Sequence, residues 1–488
     1  MTAPRTKAPS AHFPYVELLG RSNFSFLQGA SHPEEMVLYA RSLGYEGLAL
    51  CDLNGLYGVV RAFQAIAYPS NFLAHADGLN REFTTYAGTE MQLSDRGSIA
   101  LIPINKFGYI NLCRLITASK RDCGKGFSNL DPDTLAVHAD DLLALVLPPW
   151  NADKLSRLRD IYGDRLYLPV WKDYTWESLD HYNQALGWEA MGYELVATQR
   201  PFMHSNERKP LHDVLTCILH KTTLKSAKTR LLANGERHLK PLSELARLWR
   251  DRPDLLHKTA QIAGRVKFSL TELQYEYPEA ARPPGKEAGQ YLRELTLEGL
   301  SRRFPEGVPE PVRRTAEREL ALIAELRYED YFLTLWDVCQ FARARGILHQ
   351  GRGSAANSVV CYALGLTAVD PTRVELLFER FLSKERGEPP DIDIDFESGR
   401  REEVIQYIYG KYGSEHAAMV CTVIRYRARM ALRECAKVLE IPAARVDDIV
   451  KFMGREGFSR LEAAPERADE WGLERQDVQT DDPRLASP

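Results

Sequence analysis

Several things are scarce or missing in this sequence, and each absence excludes a class. No apolar run among the 488 residues approaches the roughly 18 needed to cross a bilayer. The opening MTAPRTKAPSAHFPY lacks the apolar stretch of a secretory signal, so the expected location is the cytoplasm, with no membrane partner. Cysteine is sparse at eight residues, none in a C-x-x-C pair, which excludes a disulfide scaffold and the usual zinc or redox spacing. These cysteines read as reduced, mostly buried thiols. An excess of either charge is also missing: 63 Lys and Arg face 67 Asp and Glu, a net −4. Any nucleic-acid contact must therefore come from a local basic surface and not from the global field. No repeat of solenoid period is present. What remains is a globular composition, 44% hydrophobic and 27% charged, long enough for about three domains at roughly 150 residues each.

From Pro14 to about Pro201, short apolar runs alternate with helical patterns. YVELLG, EGLALCD, TTYAGTEMQL, SIALIPI, LLALVLP, RLYLPVW and ELVATQR read as strands, with helices between them. The pattern predicts a mostly parallel sheet or barrel wrapped by helices. Ser31 followed by Glu34 has the spacing of a capping box at the first helix. Residues from 202 to about 280 turn helical and charged and end in the breaker EYPEAARPPGK. A second block runs from Glu287 to about Val423, followed by a basic amphipathic helix and a polar tail.

In Pro390-Asp391-Ile392-Asp393-Ile394-Asp395-Phe396, polar and apolar residues alternate at period two. A strand with this pattern carries its three Asp on one face and both Ile on the other, toward the core. Carboxylates so close repel one another unless a cation sits among them. Magnesium suits carboxylate and phosphate oxygens, and two such ions can serve phosphoryl transfer. A calcium loop also competes, since Glu402 falls at its twelfth position, but Phe396 stands where that loop needs Gly. A merely solvent-facing acidic strand is the other alternative.

Upstream, Gly351-Arg352-Gly353-Ser354 follows the apolar run GILHQ and opens a helix expected near Ala355. Backbone N–H groups at such a turn can face an anion, the glycines allow close approach, Arg352 can neutralise charge and Ser354 Oγ can donate. The turn is neither a P-loop nor a dinucleotide fingerprint, and alone it reads by default as a tight turn without a ligand. Paired with the acidic strand, it suggests a nucleotidyltransferase palm that takes a triphosphate. From Arg400 to Arg433, seven Lys or Arg face three Glu, a local +4 that favours phosphate contact. Arg425, Arg427, Arg429 and Arg433 lie beside an expected apolar stripe of Ile424, Ala428, Ala431, Cys435 and Val438. A solvated helix face is the alternative reading of these basic residues.

QGRGSAANSVVCYALGLT, LLFERFLSKERGEPPDIDIDFE and YEDYFLTLWDV resemble the palm of bacterial C-family DNA polymerases, the polymerase III alpha subunit family. The opening EL..RSNFSFLQGASHPEEMV and the later LHDVLTCI resemble its error-prone branch. The resemblance covers about residues 14 to 450 and implies an α/β multidomain chain: an N-terminal PHP-type (polymerase and histidinol phosphatase) α/β barrel, an incomplete nucleotidyltransferase-type, polymerase beta-like palm and the start of a helical thumb. The expected boundaries are a disordered N-terminus at 1–13, the PHP-type domain at 14–215, a helical connector at 216–285, the palm's first part at 286–424, and thumb start with polar tail at 425–488. It further implies Asp393 and Asp395 as catalytic residues holding two magnesium ions, Asp391 as their support, and Gly351, Arg352, Gly353 and Ser354 as the triphosphate turn, while Arg425 and Arg429, from the basic stretch, are expected as further nucleotide contacts. The implied reaction is attack of a primer 3′-hydroxyl on an incoming deoxynucleotide. Primer-template DNA and deoxynucleoside triphosphates are the expected partners, together with translesion proteins and the sliding clamp through a further C-terminal part.

Two departures from the family pattern stand out. Where metal-binding PHP domains place His-x-His, this chain has Leu19 and Arg21; the Asp-His is Asp52-Leu53, and the later Asp-x-His is Arg200-Pro201-Phe202. Asp52, Glu90 and His204 are scattered survivors. No metal and no hydrolysis are expected there, and the domain reads as a scaffold. The family's third catalytic Asp, in a Lys-x-Asp-x-Leu-Gly-Leu stretch, has no match here, so the chain reads as the C-terminally truncated front of an error-prone polymerase. The competing functions are a catalytically inactive chain with a scaffold or DNA-contact role, a replicative alpha subunit, and a phosphoesterase.

Overall fold

A computed structural model describes residues 13–69, 82–95, 97–121, 123–124, 127–274, 277–370 and 391–456, without the side chains of Ser354, Asp448 and residues 452–456. The expected disordered start and most of the polar tail lie outside these residues. The chain forms two compact units, one made of residues up to Leu273 together with those from Arg425 onward, the other of Gln274–Ile424.

In the first unit the strands are β1 (Val16–Gly20), β2 (Gly47–Leu53), β3 (Thr84–Gln92), β4 (Ser98–Pro103), β5 (Leu142–Leu147), β6 (Leu166–Val170) and β7 (Glu194–Ala197). The helices between them are α1 (Pro33–Ser42), α2 (Val59–Ala67), α3 (Lys106–Arg121), α4 (Pro132–Val137), α5 (Ala152–Tyr162) and α6 (Trp176–Ala190). The seven strands follow one another in order across one sheet, and every neighbouring pair is parallel except those on either side of β4. Each of the seven apolar runs read as a strand is one. They are apolar without a polar face because both sides of the sheet are covered. Along β5, Leu142, Ala144 and Val146 join the core shared with the helices, while Leu143, Leu145 and Leu147 join a second core with Val16, Ala49, Ala100, Tyr167 and Val196. Five other strands contribute to that second core, so the sheet curls around it. Between the sheet's ends, Glu17 of β1 accepts from Thr198 Oγ1 and, at 2.9 Å, from the Gln199 backbone N–H just past β7. Beyond the sheet follow α7 (Lys209–Leu219), α8 (Leu224–Ala227), α9 (Leu242–Leu248) and α10 (Pro253–Gly264). The Thr259 hydroxyl of α10 accepts from the Val16 N–H at 3.1 Å.

The cap of α1 sits one residue later than its expected place. His32 is the N-cap, Pro33 follows it, and Glu35, not Glu34, returns to the His32 N–H at 2.8 Å. Proline suits a first helical position because that N–H has no partner within the helix. Ser31 is instead buried, with its hydroxyl 2.8 Å from His204 Nδ1.

The second unit holds α11 (Ala288–Arg303), α12 (Glu310–Leu326), α13 (Glu329–Ala344), β8 (His349–Arg352), α14 (Val359–Leu364), β9 (Asp393–Phe396) and α15 (Arg401–Tyr412). Leu292, Leu320, Ile323, Phe332, Cys361 and Ile392 share its core. Residues 425–456 belong to the first unit as α16 (Ala428–Val438) and α17 (Ala443–Glu456). Val438 packs there with Cys217 and Ala227, whereas Ile424 precedes the helix and is exposed, outside the expected apolar stripe. Among the described residues no helix is long and apolar enough to cross a membrane.

Candidate functional site

The aspartate motif takes the conformation its period predicts. β9 pairs antiparallel with β8, placing Gly351 opposite Ile394 and Arg352 opposite Asp393. Asp391, Asp393 and Asp395 are exposed, Ile392 is buried, and Ile394 is partly buried against the same core. A strand anchored by its isoleucines thus holds its carboxylates toward water.

The glycine turn connects β8 to α14 on the other side of this ribbon. At Gly351, a Cβ would stand 2.5 Å from the Leu366 carbonyl oxygen, to which the Gly351 N–H donates at 2.6 Å. No side chain fits there. Gly353 has φ +61°, and a Cβ on it would lie 3.7 Å from Asp393 Oδ2, so this left-handed corner comes directly against the first aspartate of β9. Arg352 Nε lies 3.1 Å from Asp395 Oδ2, both side chains mostly exposed. The turn and Asp393 and Asp395 therefore share one small surface. Ser354 lies in a 3-10 turn spanning Gly353–Asn357; its side chain is outside the described residues. Arg425 and Arg429 lie in the first unit, outside the unit that carries the aspartates.

The helix after the turn begins at Val359, not near Ala355. Its start is fixed by Glu319 of α12, which accepts from Ser358 Oγ at 2.8 Å, Val359 N at 3.0 Å and Val360 N at 2.9 Å. Free N–H groups at a helix start need such partners, and a carboxylate also complements the helix dipole. Burial lifts the Glu319 carboxyl to about 7, against the pull of these three donors. Glu319 belongs to no motif in the sequence. A signal existed, because Glu319 lies on the buried stripe of Ala316, Leu320 and Ile323, where an ionisable residue is out of place.

At the carboxyl ends of the first unit's strands, the residues expected to have lost a metal make other bonds. Both Glu90 oxygens meet guanidiniums, from Arg21 at 2.5 Å and Arg200 at 3.0 Å. Burial opposes its charge, but the two arginines win and hold the carboxyl at about 2. Asp52 accepts from Ser22 N, Ser22 Oγ and Ser25 Oγ at 2.7 to 2.8 Å, and His204 Nδ1 faces Ser31. This donor set does not fit a cation, since its carboxylates are occupied and arginines stand among them. Among the described residues, no three His, Cys, Asp or Glu gather as a metal-holding group.

Comparison with known proteins matches both parts of the chain. Residues 18–198 match the PHP domain family, and residues 290–484 match the family described as the bacterial DNA polymerase III alpha NTPase domain. An error-prone DNA polymerase of Bdellovibrio bacteriovorus is 55% identical over 472 residues, covering 96% of this chain and 44% of that protein. Those of Methylococcus capsulatus and Rhodopirellula baltica are 46% and 41% identical, over 96% and 94% of this chain and 43% and 40% of their own lengths. Among solved structures, an amidohydrolase from Chromobacterium violaceum is 13% identical with a TM-score of 0.25, covering 38% of this chain and 86% of that one. The chain spans less than half the length of the curated relatives it matches. Residues 18–198 are thus similar to PHP domains and residues 290–484 to the polymerase III alpha NTPase domain, and nearly all of this chain is similar to part of error-prone DNA polymerases.

Proposed function

We propose that this chain supplies the nucleotide-binding and catalytic-aspartate part of a DNA-directed DNA polymerase of the error-prone, damage-tolerant kind, acting in the cytoplasm on primer-template DNA and deoxynucleoside triphosphates. The observation that carries this reading is the approach of the Gly353 corner to Asp393 across the β8–β9 ribbon. In this reading the turn receives the triphosphate through backbone N–H groups, and Arg352, now beside Asp395, shares its charge with the phosphates. Asp393 and Asp395 are hard oxygen donors on one exposed strand face and fit two magnesium ions by donor type; Asp391 supports them. When bound, magnesium supplies charge neutralisation at the attacking and leaving oxygens. The protein's own contribution is position: a rigid ribbon whose Ile392 and Ile394 are set in the core, and a helix start held by Glu319 behind the turn. The PHP-type domain is proposed as a scaffold. The relatives named above are error-prone polymerases, which favours that branch over a replicative one.

Primer extension by the 488-residue chain with magnesium and four deoxynucleotides tests the proposal. Extension that Asp393→Asn/Asp395→Asn abolishes is the expected result. Extension that survives this double variant would remove the aspartates from the chemistry. A second reading, a catalytically inactive chain with a scaffold or DNA-contact role, is favoured by the lack of a third converging carboxylate among the described residues. Wild-type chain that fails to extend any primer, while still binding deoxynucleotide in a magnesium-dependent way, would support that reading. The arginines on Glu90 argue against a phosphoesterase.

A further inference from the structure

The first unit displays aromatic side chains that folding would ordinarily bury. Trp176, the first residue of α6, is 85% exposed, and Tyr174 just before it is 65% exposed. With Leu179 and Tyr182 of the same helix, they line a groove of about 510 Å³ together with Leu248, at the end of α9, and Asp251 in the turn that follows. Single exposed apolar residues are ordinary, but aromatic rings gathered along one groove mark an interaction surface. The lysine of the groove is already engaged. Lys172 Nζ lies 4.4 Å from the centre of a Trp249 ring and 5.0 Å from that of Tyr182, and it donates to both Asp251 oxygens at 2.7 and 2.9 Å.

The loop that carries Tyr174 and Trp176 is fixed by its own hydrogen bonds. Asp173 Oδ1 accepts from the Thr175 N–H and hydroxyl at 3.1 and 2.6 Å. Thr175 Oγ1, the N-cap of α6, accepts from the Ser178 N–H at 3.1 Å, and Ser178 Oγ donates to the Thr175 carbonyl at 3.0 Å. Tyr174 is held in left-handed backbone, φ +59°, a strained conformation for an aromatic residue and one that gathers at ligand clamps. Rings presented on so fixed a loop lose little freedom when a partner arrives. Among the described residues, the side chains of Tyr174, Trp176 and Asn183, the last also lining the groove, make no hydrogen bond. The helix beside them is acidic, since residues 176–190 hold Glu177, Asp180 and Glu189 but no Lys or Arg. Glu177 and Asp180 are exposed. Of the cations nearby, Arg252 is bound by Glu189 and Asp254, and Arg250 does not line the groove.

We infer that this groove docks an extended segment of a partner protein that carries prolines flanked by a basic residue. A polyproline-type chain makes no hydrogen bonds of its own, so its carbonyls need donors from outside. The Trp176 indole N–H, the Tyr174 hydroxyl and the Asn183 amide supply them, and proline rings pack between aromatic side chains. A basic residue next to the prolines meets the carboxylates of Glu177 and Asp180, which fixes the direction of the segment. An amphipathic helix is the poorer occupant, because its carbonyls are already paired and leave these donors unused. Single-stranded DNA could stack on the same rings, but the acidic helix repels its phosphates and the one lysine of the groove is held by Asp251. The inference does not depend on the polymerase reading.

Fluorescence anisotropy of a labelled peptide of repeated Pro-Pro-Arg, titrated with the full chain, tests it. The expected result is saturable binding that is about tenfold or more weaker for repeated Gly-Ser-Arg, which keeps the charge without proline, and for repeated Pro-Pro-Glu, which reverses the charge. Trp176→Ala should weaken binding by about tenfold or more, and Glu177→Gln/Asp180→Asn should weaken it and flatten its salt dependence. Phe107→Ala, at another exposed aromatic on α3, should leave it unchanged. Because Trp176 is mostly exposed, its variant is expected to keep a native circular dichroism spectrum. Wild-type chain that does not bind the Pro-Pro-Arg peptide overturns the inference, as does equal binding of the Gly-Ser-Arg peptide or binding that survives in natively folded Trp176→Ala. Labelled oligothymidine, or an amphipathic Leu-Lys helix, that binds more tightly than the Pro-Pro-Arg peptide and is lost with Trp176→Ala would assign the groove to that occupant and overturn it as well.

Discussion

Single residues of the first unit set its response to acid. Glu90 is ionised down to about 2 in the fold, where the two arginines outweigh its burial, against an ordinary 4.5. Its contribution is therefore complete above pH 4.5 and is lost as pH falls toward 2, about 3 kcal/mol over that window. His212 works earlier. Burial pushes it from 6.5 down to about 4, so the unfolded chain takes up its proton first, and about 3 kcal/mol is lost as pH falls from 6.5 to 4. Urea unfolding at a series of pH values should show both slopes; Glu90→Gln should remove the lower and His212→Gln the upper. Glu319 makes a separate prediction for the second unit. Glu319→Ala leaves three donors at the start of α14 without an acceptor and should cost about 2 to 4 kcal/mol, read from chemical unfolding followed at that unit. These residues differ in how openly the sequence displays them. Arg21 and Arg200 drew notice as departures from an expected pattern, whereas Glu319 carries no motif and meets Ser358 only because the chain returns.

Elements were legible where burial imposes a period. The seven strands of the first unit could be read because both faces are covered, and β9 could be read because only one is. The ends of helices were less legible: α1 begins where Pro33 permits, and α14 begins where a carboxylate from α12, forty residues away in sequence, happens to reach. Local spacing carries no trace of such a partner. The β8–α14 connection depends on Gly351 in particular. Gly351→Ala should destabilise the second unit by about 1–3 kcal/mol, because its methyl must displace the Leu366 carbonyl. It should also lower deoxynucleotide binding, measured by fluorescence anisotropy. Gly353→Ala, which has room but a left-handed φ, should cost less in stability, about 1 kcal/mol.

At the scale of the molecule, two units with separate cores should unfold separately. Calorimetry should resolve two transitions, with Glu90→Gln lowering only one and Glu319→Ala only the other; a single transition shifted by both would show that the units unfold together. About three domains were expected from length, whereas the described chain divides into two units, at Leu273–Gln274, just before the breaker EYPEAARPPGK. The return of residues 425–456 to the first unit was not visible, since the apolar faces of α7 and α16 look alike whichever partner they have. The way the first unit's sheet ends has one more consequence. β1 and β7 carry no ladder of backbone hydrogen bonds between them; Glu17 spans the interval with its side chain, and α10 covers it. The wall of that unit has a seam. Hydrogen exchange should begin there, with amides of β1 and β7 opening before those of β4 and β5, and Glu17→Ala should unfasten the sheet along that line while leaving the far side closed.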